Sequence, residues 1–528
     1  MILQMRIRVK FRGSQMPGFR GLGTTQDIAA PPHFPVDGPG NHRYAWPNPY
    51  PAALRQSGRQ EAFINWILVS IISYVLMQLL VCLVVMRRMN SEQDYLLAGR
   101  RLGLPMVAMT IFATWFGAGA CIGAAGIIYD EGLSGSRADP FGYALCIFFL
   151  GIFFGRKLWQ RKLTTLADFY RQRFGIGVEK LGVVLLLPAS VFWAAAQILA
   201  FGHVLSSVST LDVNIAIAFA AVIVMAYTAL GGLLADAVSD IVQGIVLIIG
   251  LVVIFVAVMG NLPDAEALAP ALSPQRLSFR AEGEDWLGVI NSWSIPFIGS
   301  LFAAELVTRI LASKSADVAR NGSVVGGTIY VIVGLIPAIL GLIGPVLVPG
   351  LEDGEQILPG LAINYLPPVF YVIFIGALVS AILSTVDSAL LNAGSLLSHN
   401  VLVPLLGLKN EHLKVRYARM SVVGFGIIAW GLALSAENVY NLIMESSAFG
   451  SAGIFTCCLL GLLQQRGGPM TAAASMIIGI VSYGLLAYVI EYDYAYLMSL
   501  VSSLVTFLVL MWFEPGRDTY PAGAEVAA

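Results

Sequence analysis

The sequence is poor in charge and in the side chains that do chemistry. Asp, Glu, Lys and Arg make up 12% of its 528 residues, against about a quarter in soluble globular domains. There are five cysteines and five histidines. Cys82, Cys121, Cys146, Cys457 and Cys458 all fall inside apolar runs, where a cysteine behaves as a small hydrophobe, and no zinc spacing or disulfide framework is suggested. The histidines lie mostly in tails and loops, so no nucleophile–base–acid set can be assembled and catalysis has no visible home. A formal net charge of -1 gives no support to nucleic-acid binding. The longest polar connections, 261–285 and 395–416, are too short for a soluble domain. No cofactor motif is present, and no output domain is expected after the last apolar run.

What is there is apolar. Hydrophobic residues reach 57% and the mean hydropathy is +0.77, so an all-α integral membrane protein is expected. Windows of about 20 residues give thirteen candidate spans, beginning near 63, 104, 139, 179, 212, 236, 286, 319, 368, 417, 438, 470 and 493. With the N-terminus outside, the cytoplasmic segments hold 20 Lys and Arg, and the external loops only three, Arg137, Arg276 and Arg280. That asymmetry orients the chain in the cell membrane with its C-terminus in the cytoplasm. Residues 1–62 carry the other eight basic residues with many Pro and Gly, and lack the apolar core of a secretory signal. They are read as a disordered extension or a start placed too far upstream. Residues 63–513 form the transmembrane domain, and 514–528 a cytoplasmic tail.

Two spans are interrupted. The second reads "MVAMTIFATWFGAGACIGAAGIIY", with Gly117, Gly119, Gly123 and Gly126 at its middle; the seventh reads "VINSWSIPFIGSLFAAELVTRI", with Pro296 and Gly299. Unwound backbone at membrane depth is tolerated where it lines a cavity or is buried by protein. There its carbonyls can coordinate a cation and its half-helix ends can face a substrate. The two lie five spans apart, which predicts a 5+5 inverted repeat of spans 2–6 and 7–11.

The ninth span contains "SAILSTVDSALL". Ala381, Ser384, Thr385 and Ser388 share one helical face by their spacing. Two adjacent hydroxyls with a small residue one turn before them suit a dehydrated sodium ion, although serine and threonine often bond to their own helix carbonyls. Asp387 lies about 60° from Ser384 around the helix, with no Lys or Arg in the same span to neutralise it; a mobile cation, sodium or a proton, would. Glu305 precedes Arg309 by four residues, which predicts a structural ion pair. Glu445 has no such partner. Asp240, near the start of the sixth span, is a helix-terminal acid or part of an ion route.

These stretches resemble the sodium:solute symporters over about residues 63 to 513. The marks are "SEQDYLLAGRRLG", "FATWFGAGACIGAAG", "TLADFYRQRFG", "YTALGGLLADAVSDIVQ" and "SAILSTVDSALLNAGSLLSHNV". The resemblance implies the leucine-transporter type of inverted-repeat fold and sodium-coupled symport of a small organic solute. It implies a sodium site made of the backbone oxygens of Ala113, Phe116 and Ala381 and the hydroxyls of Ser384 and Thr385. Asp240 matches the family's acid in the sodium passage, and Asp387 matches a second cation ligand of some branches. The choline transporters are the branch most similar, through "ATW", "FWAAA" and "SxxDSxxL". This implies a quaternary ammonium boxed by aromatic faces, with Trp115 and Trp193 on two positions and Phe297, where that branch has Trp, on the third; Trp293 joins the candidate pocket. A carboxylate or amino acid, as in bacterial branches, would rely on backbone N–H groups near Gly117, Gly119 and Ser294. The competing readings are a proton-coupled symporter and a transporter-like membrane sensor.

Overall fold

The computed structural model describes residues 57–86, 91–209, 211–436, 438–514 and 516, with side chains from Trp66 onward. The predicted N-terminal tail as far as residue 56, and nearly all of the C-terminal tail, lie outside the described residues. Helix Ser57–Met86 opens the description, six residues ahead of the apolar onset at 63. Among the described residues every regular element is helical, apart from an isolated parallel bridge between Leu102 and Ser313. Among the described residues eight helices are long and apolar enough to cross a membrane, and up to ten if each of two sharply bent pairs is one span.

The first bent pair is Leu104–Trp115 with Gly119–Ser134, at 60°. The helix leaves its path at Phe116 (φ -87, ψ 64) and resumes as a π-helical turn, Gly119–Gly123. Small residues permit this because neighbours come very close: a Cβ on Gly117 would lie 2.5 Å from Thr385 Oγ1. The interruption expected in the second span is therefore present.

The seventh span is interrupted as well, at the second of its two marked residues. Helix Trp286–Gly299 passes through Pro296 and ends at Gly299, residues 300–303 leave the helix, and Ala304–Ala312 resumes with no bend above 40°. A proline removes one donor but does not force a break when its neighbours hold the helix. The second sharp bend instead lies between Val439–Ala452 and Phe455–Leu463, at 50°.

Helix Val213–Met259 contains 47 residues and turns at Gly232, whose φ of 56 is left-handed and suits a residue without a side chain. At about 1.5 Å per residue its contour is about 70 Å, more than twice the hydrocarbon thickness of a bilayer. Helix Pro368–Leu397 packs against this segment and against Ile176–Ser207. Its apolar window is 72% buried, against 22% for the first span, so the hydroxyl-bearing helix is central and the first helix peripheral. Polar caps start the shorter elements: Ser91 accepts from Asp94 N, and Thr165 and Asp168 form a reciprocal capping box.

Candidate functional site

The bend of the second span faces the middle of Pro368–Leu397. Ser384 Oγ donates to the carbonyl of Ala113 at 2.8 Å and is 3.0 Å from that of Ala381. Thr385 Oγ1 donates to the same Ala381 carbonyl at 3.0 Å. Two hydroxyls and two carbonyls from two helices thus converge, all fully buried. Phe116, where the helix unwinds, packs against Phe112 and Tyr330. Two positions further on, Ala118 N donates to Gln197 Oε1 at 2.9 Å, and a Cβ on Gly117 would lie 2.8 Å from that oxygen. Gln197 was missed in the sequence. Its signal was a lone amide inside the apolar run "FWAAAQILAF", four residues after Trp193.

One turn along both helices lies a second polar centre of another kind. Arg309 is fully buried and paired with Asp236, with Asp240 Oδ2 at 3.9 Å. Thr110 donates to Asp240, and Thr114 reaches both Asp240 at 3.4 Å and Ser388 at 3.3 Å. Ser388 bonds to Asp236 at 3.0 Å and to Arg309. Asp387 accepts the N–H of Ser388 at 2.9 Å, while its Oδ2 is buried without a hydrogen-bond partner. It shares a cavity of about 10 Å³ with Asp236, Cys82 and Tyr227, at the lower limit for one water. The predicted Glu305–Arg309 pair is replaced by Arg309–Asp236. Arg309 turns toward the sixth span, and Glu305 accepts from Ser190 Oγ at 2.7 Å instead. Glu445, open in the sequence, accepts from the hydroxyls of Tyr483 and Tyr488.

Beside the bend lies an aromatic cluster. Trp115 and Trp193 have ring centroids 6.0 Å apart, and Tyr143 completes a triangle at 5.5 and 5.9 Å. Tyr143 was not foreseen; nothing in "FGYALCIFF" distinguishes it from core. The third wall is therefore Tyr143. Phe297 meets Phe149 edge to face and Trp293 packs at a tilt against Phe279, and no ring contact joins either to Trp115 or Trp193 among the described residues. The helix that carries Phe297 does not unwind at Pro296, so that face stays turned to the third span. Ser294 donates to its own helix at Asn291 O. Among the described residues no group of three His, Cys, Asp or Glu side chains could hold a metal ion.

Comparison with known proteins places the chain among transporters. Residues 95–479 match the model of the sodium:solute symporter family. The high-affinity choline transporter 1 of Drosophila melanogaster is 30% identical over 384 residues, covering 67% of this chain and 59% of the fly protein. The human high affinity choline transporter 1 is 29% identical, covering 78% of this chain and 75% of that protein. The sodium/pantothenate symporter of Escherichia coli is 25% identical, covering 84% and 95%. The chain spans less than two thirds of the fly protein's length. Among solved structures, a substrate-bound, outward-open sodium-coupled sialic acid symporter superposes with a TM-score of 0.75, at 16% identity over 86% of this chain and 99% of that one. A nucleobase-cation-symport-1 family transporter in a closed conformation gives 0.56, at 14% identity over 80% and 94%. At such identities these two superpositions establish the fold alone.

Proposed function

The chain belongs to the sodium:solute symporter family, a family of membrane transporters and not of enzymes, and from that premise we propose that it couples sodium entry to uptake of an organic cation of the quaternary-ammonium type. Sodium sits between the carbonyls of Ala113, Phe116 and Ala381 and the hydroxyls of Ser384 and Thr385. The observation that carries this is the convergence of Ser384 on Ala113 O at 2.8 Å and of both hydroxyls on Ala381 O. In the absence of the ion the hydroxyls donate to those carbonyls; a hard monovalent cation takes oxygens of both kinds once the protons turn away. Asp240 and Asp387 serve the ion's path rather than its primary binding.

The transmembrane arrangement is proposed as thirteen spans with the N-terminus outside, in the cell membrane. Splitting Val213–Met259 at Gly232, and adding Glu411–Ala433 and Ala495–Leu510 to the ten candidates, reaches that number. Spans 2–6 and 7–11 then form the inverted repeat.

Trp115, Tyr143 and Trp193 supply the faces that attract the ammonium, each desolvated face contributing up to about 2 kcal/mol. Their centroids stand 5.5–6.0 Å apart, so the rings must part to admit it, as alternating access requires. The similarity to choline transporters agrees with this substrate class. Counterflow in proteoliposomes tests it, with and without sodium, against choline, small carboxylates and amino acids. Sodium-dependent exchange of choline is expected. Exchange of carboxylates alone removes the aromatic cage and leaves the sodium site. Uptake that ignores sodium and follows the proton gradient removes the sodium site.

A further inference from the structure

A cavity of about 30 Å³ lies beside the aromatic cage. One wall is a face of helix Ile176–Ser207 that presents Leu186, Ala189, Ser190 and Trp193, so the cage tryptophan also lines the cavity. The other walls are the two helix interruptions. Ser300–Ala303 separates Trp286–Gly299 from Ala304–Ala312, and Gly453–Ile454 separates the bent pair Val439–Ala452 and Phe455–Leu463. The volume is that of one water, but both breaks are places where a wall can swing.

Its polar groups form a path away from the cage. Tyr143 bonds through its hydroxyl to Ser447 Oγ at 3.0 Å, and Ser300 Oγ donates to the same Ser447 oxygen at 3.0 Å. Glu305 lines the same cavity, held by Ser190 at 2.7 Å. Glu305 keeps accessible surface among packed helices because it lines the cavity. Arg309, expected as its partner, is committed to Asp236, and no basic side chain lines this space. Ser190 precedes Trp193 by about one turn, and Glu305 follows the break on the side of Arg309. The carboxylate therefore lies between the cage and the end of the bundle where Arg309 sits, the cytoplasmic end in the proposed orientation.

We propose that this cavity is an inner subsite through which the organic cation leaves the cage, with Glu305 as its charge partner. The inference rests on the proposed substrate class. A cation leaving three aromatic faces loses their attraction, and a carboxylate one step further offsets that loss. The hydroxyls of Ser300 and Ser447 supply acceptors for a substrate hydroxyl on the way. The tight approaches around the cavity close it in this state: a Cβ on Gly450 would lie 2.5 Å from Ala189 Cβ, and one on Gly299 2.8 Å from Ser447 O.

The test uses the full chain in sided proteoliposomes, with radiolabelled choline as the probe and 3,3-dimethylbutan-1-ol, its uncharged carbon analogue, as competitor. In Glu305→Gln the half-saturating choline concentration at the inner face should rise at least tenfold, and that at the outer face by no more than about twofold. The inner face should also lose its preference for choline over the uncharged analogue. Glu305→Asp should keep a large part of both properties. If Glu305→Gln changes inner and outer half-saturation equally, or leaves the inner preference intact, the subsite is refuted. It is also refuted if Asp fails as completely as Gln and both abolish sodium-dependent choline binding, because Glu305 is then structural. Wild-type protein that binds no choline refutes the substrate class along with the subsite, whereas binding with unchanged inner discrimination refutes the subsite alone.

Discussion

Two polar centres lie one helical turn apart on the same pair of helices, and they are built on opposite principles. Around Ser384 and Thr385 every oxygen is neutral and belongs to a carbonyl or a hydroxyl. Around Ser388 three carboxylates, Asp236, Asp240 and Asp387, gather near one fixed guanidinium, Arg309. A neutral oxygen cluster can gain and lose a cation without leaving a buried charge behind, so it suits an ion that must be released. A carboxylate cluster cannot, and here one guanidinium permanently supplies part of the counter-charge. Thr114 touches the second centre, and its neighbour Ala113 belongs to the first. The two are thus joined by adjacent residues of the helix that bends.

The largest expected effect comes from removing the fixed charge. Arg309→Met leaves the acids unpaired and should cost about 3–5 kcal/mol, as breaking a buried ion pair does. Thermal melting of purified protein checks it: a large fall in the transition or loss of folded protein is expected, with partial recovery when Asp236→Asn is added. A single substitution that melts like wild type would put the two centres on the same footing.

A smaller effect concerns the cage between bend and cavity. Trp115→Ala or Trp193→Ala should weaken apparent affinity for a quaternary ammonium by about tenfold, equivalent to about 1.4 kcal/mol, while Phe at either site keeps part of it. Binding titrations in saturating sodium isolate this from the ion site. Unchanged affinity in both alanine variants would assign the rings to packing.

The smallest effect sharpens the rule that a buried carboxyl needs a fixed cation or a proton. Glu355 lies in the turn Gly354–Gln356 outside the spans, accepting from Tyr440 N at 3.2 Å. Burial, and secondarily Asp353, push its carboxyl up from 4.5 to about 7. Stability tied to its protonated form is complete below 4.5 and declines as pH rises to and through about 7. Glu355→Gln should flatten the melting temperature between pH 5 and 7.5, by on the order of one or two degrees. An identical slope in the variant would show that other groups set it.

Which of these features the sequence disclosed follows from where their partners lie. Ser384 and Thr385 are adjacent, with the small Ala381 one turn away, so helical spacing singled out the two hydroxyls, while the carbonyls of Ala113 and Ala381 followed from the family resemblance. The glycine-rich interruption near Ala113 marked the other helix. Arg309 was misread because spacing along one helix favours Glu305, whereas its partner is set by how the helix after the break is rotated toward Asp236. Asp236 and Asp240 share a face at i, i+4, a pattern visible in "LLADAVSDIVQ", yet the sequence reading singled out Asp240 and passed over Asp236. Tyr143 and Gln197 act through contacts across helices that no periodicity encodes. Of the two residues that marked the seventh span, Pro296 is held within the helix and the break falls at Gly299.

The most direct measurement is sodium-titrated choline uptake by proteoliposomes carrying wild type, Ser384→Ala/Thr385→Ala or Asp387→Asn. Loss of two ligand oxygens from the neutral centre should raise the sodium concentration for half-maximal uptake in the double variant by at least about tenfold, since each lost charge-assisted contact is worth about 1.5–3 kcal/mol. Asp387→Asn should lower the maximal rate with a much smaller change in that concentration. A double variant with wild-type sodium dependence, or Asp387→Asn alone abolishing it, would contradict the assignment of the ion to the neutral oxygens.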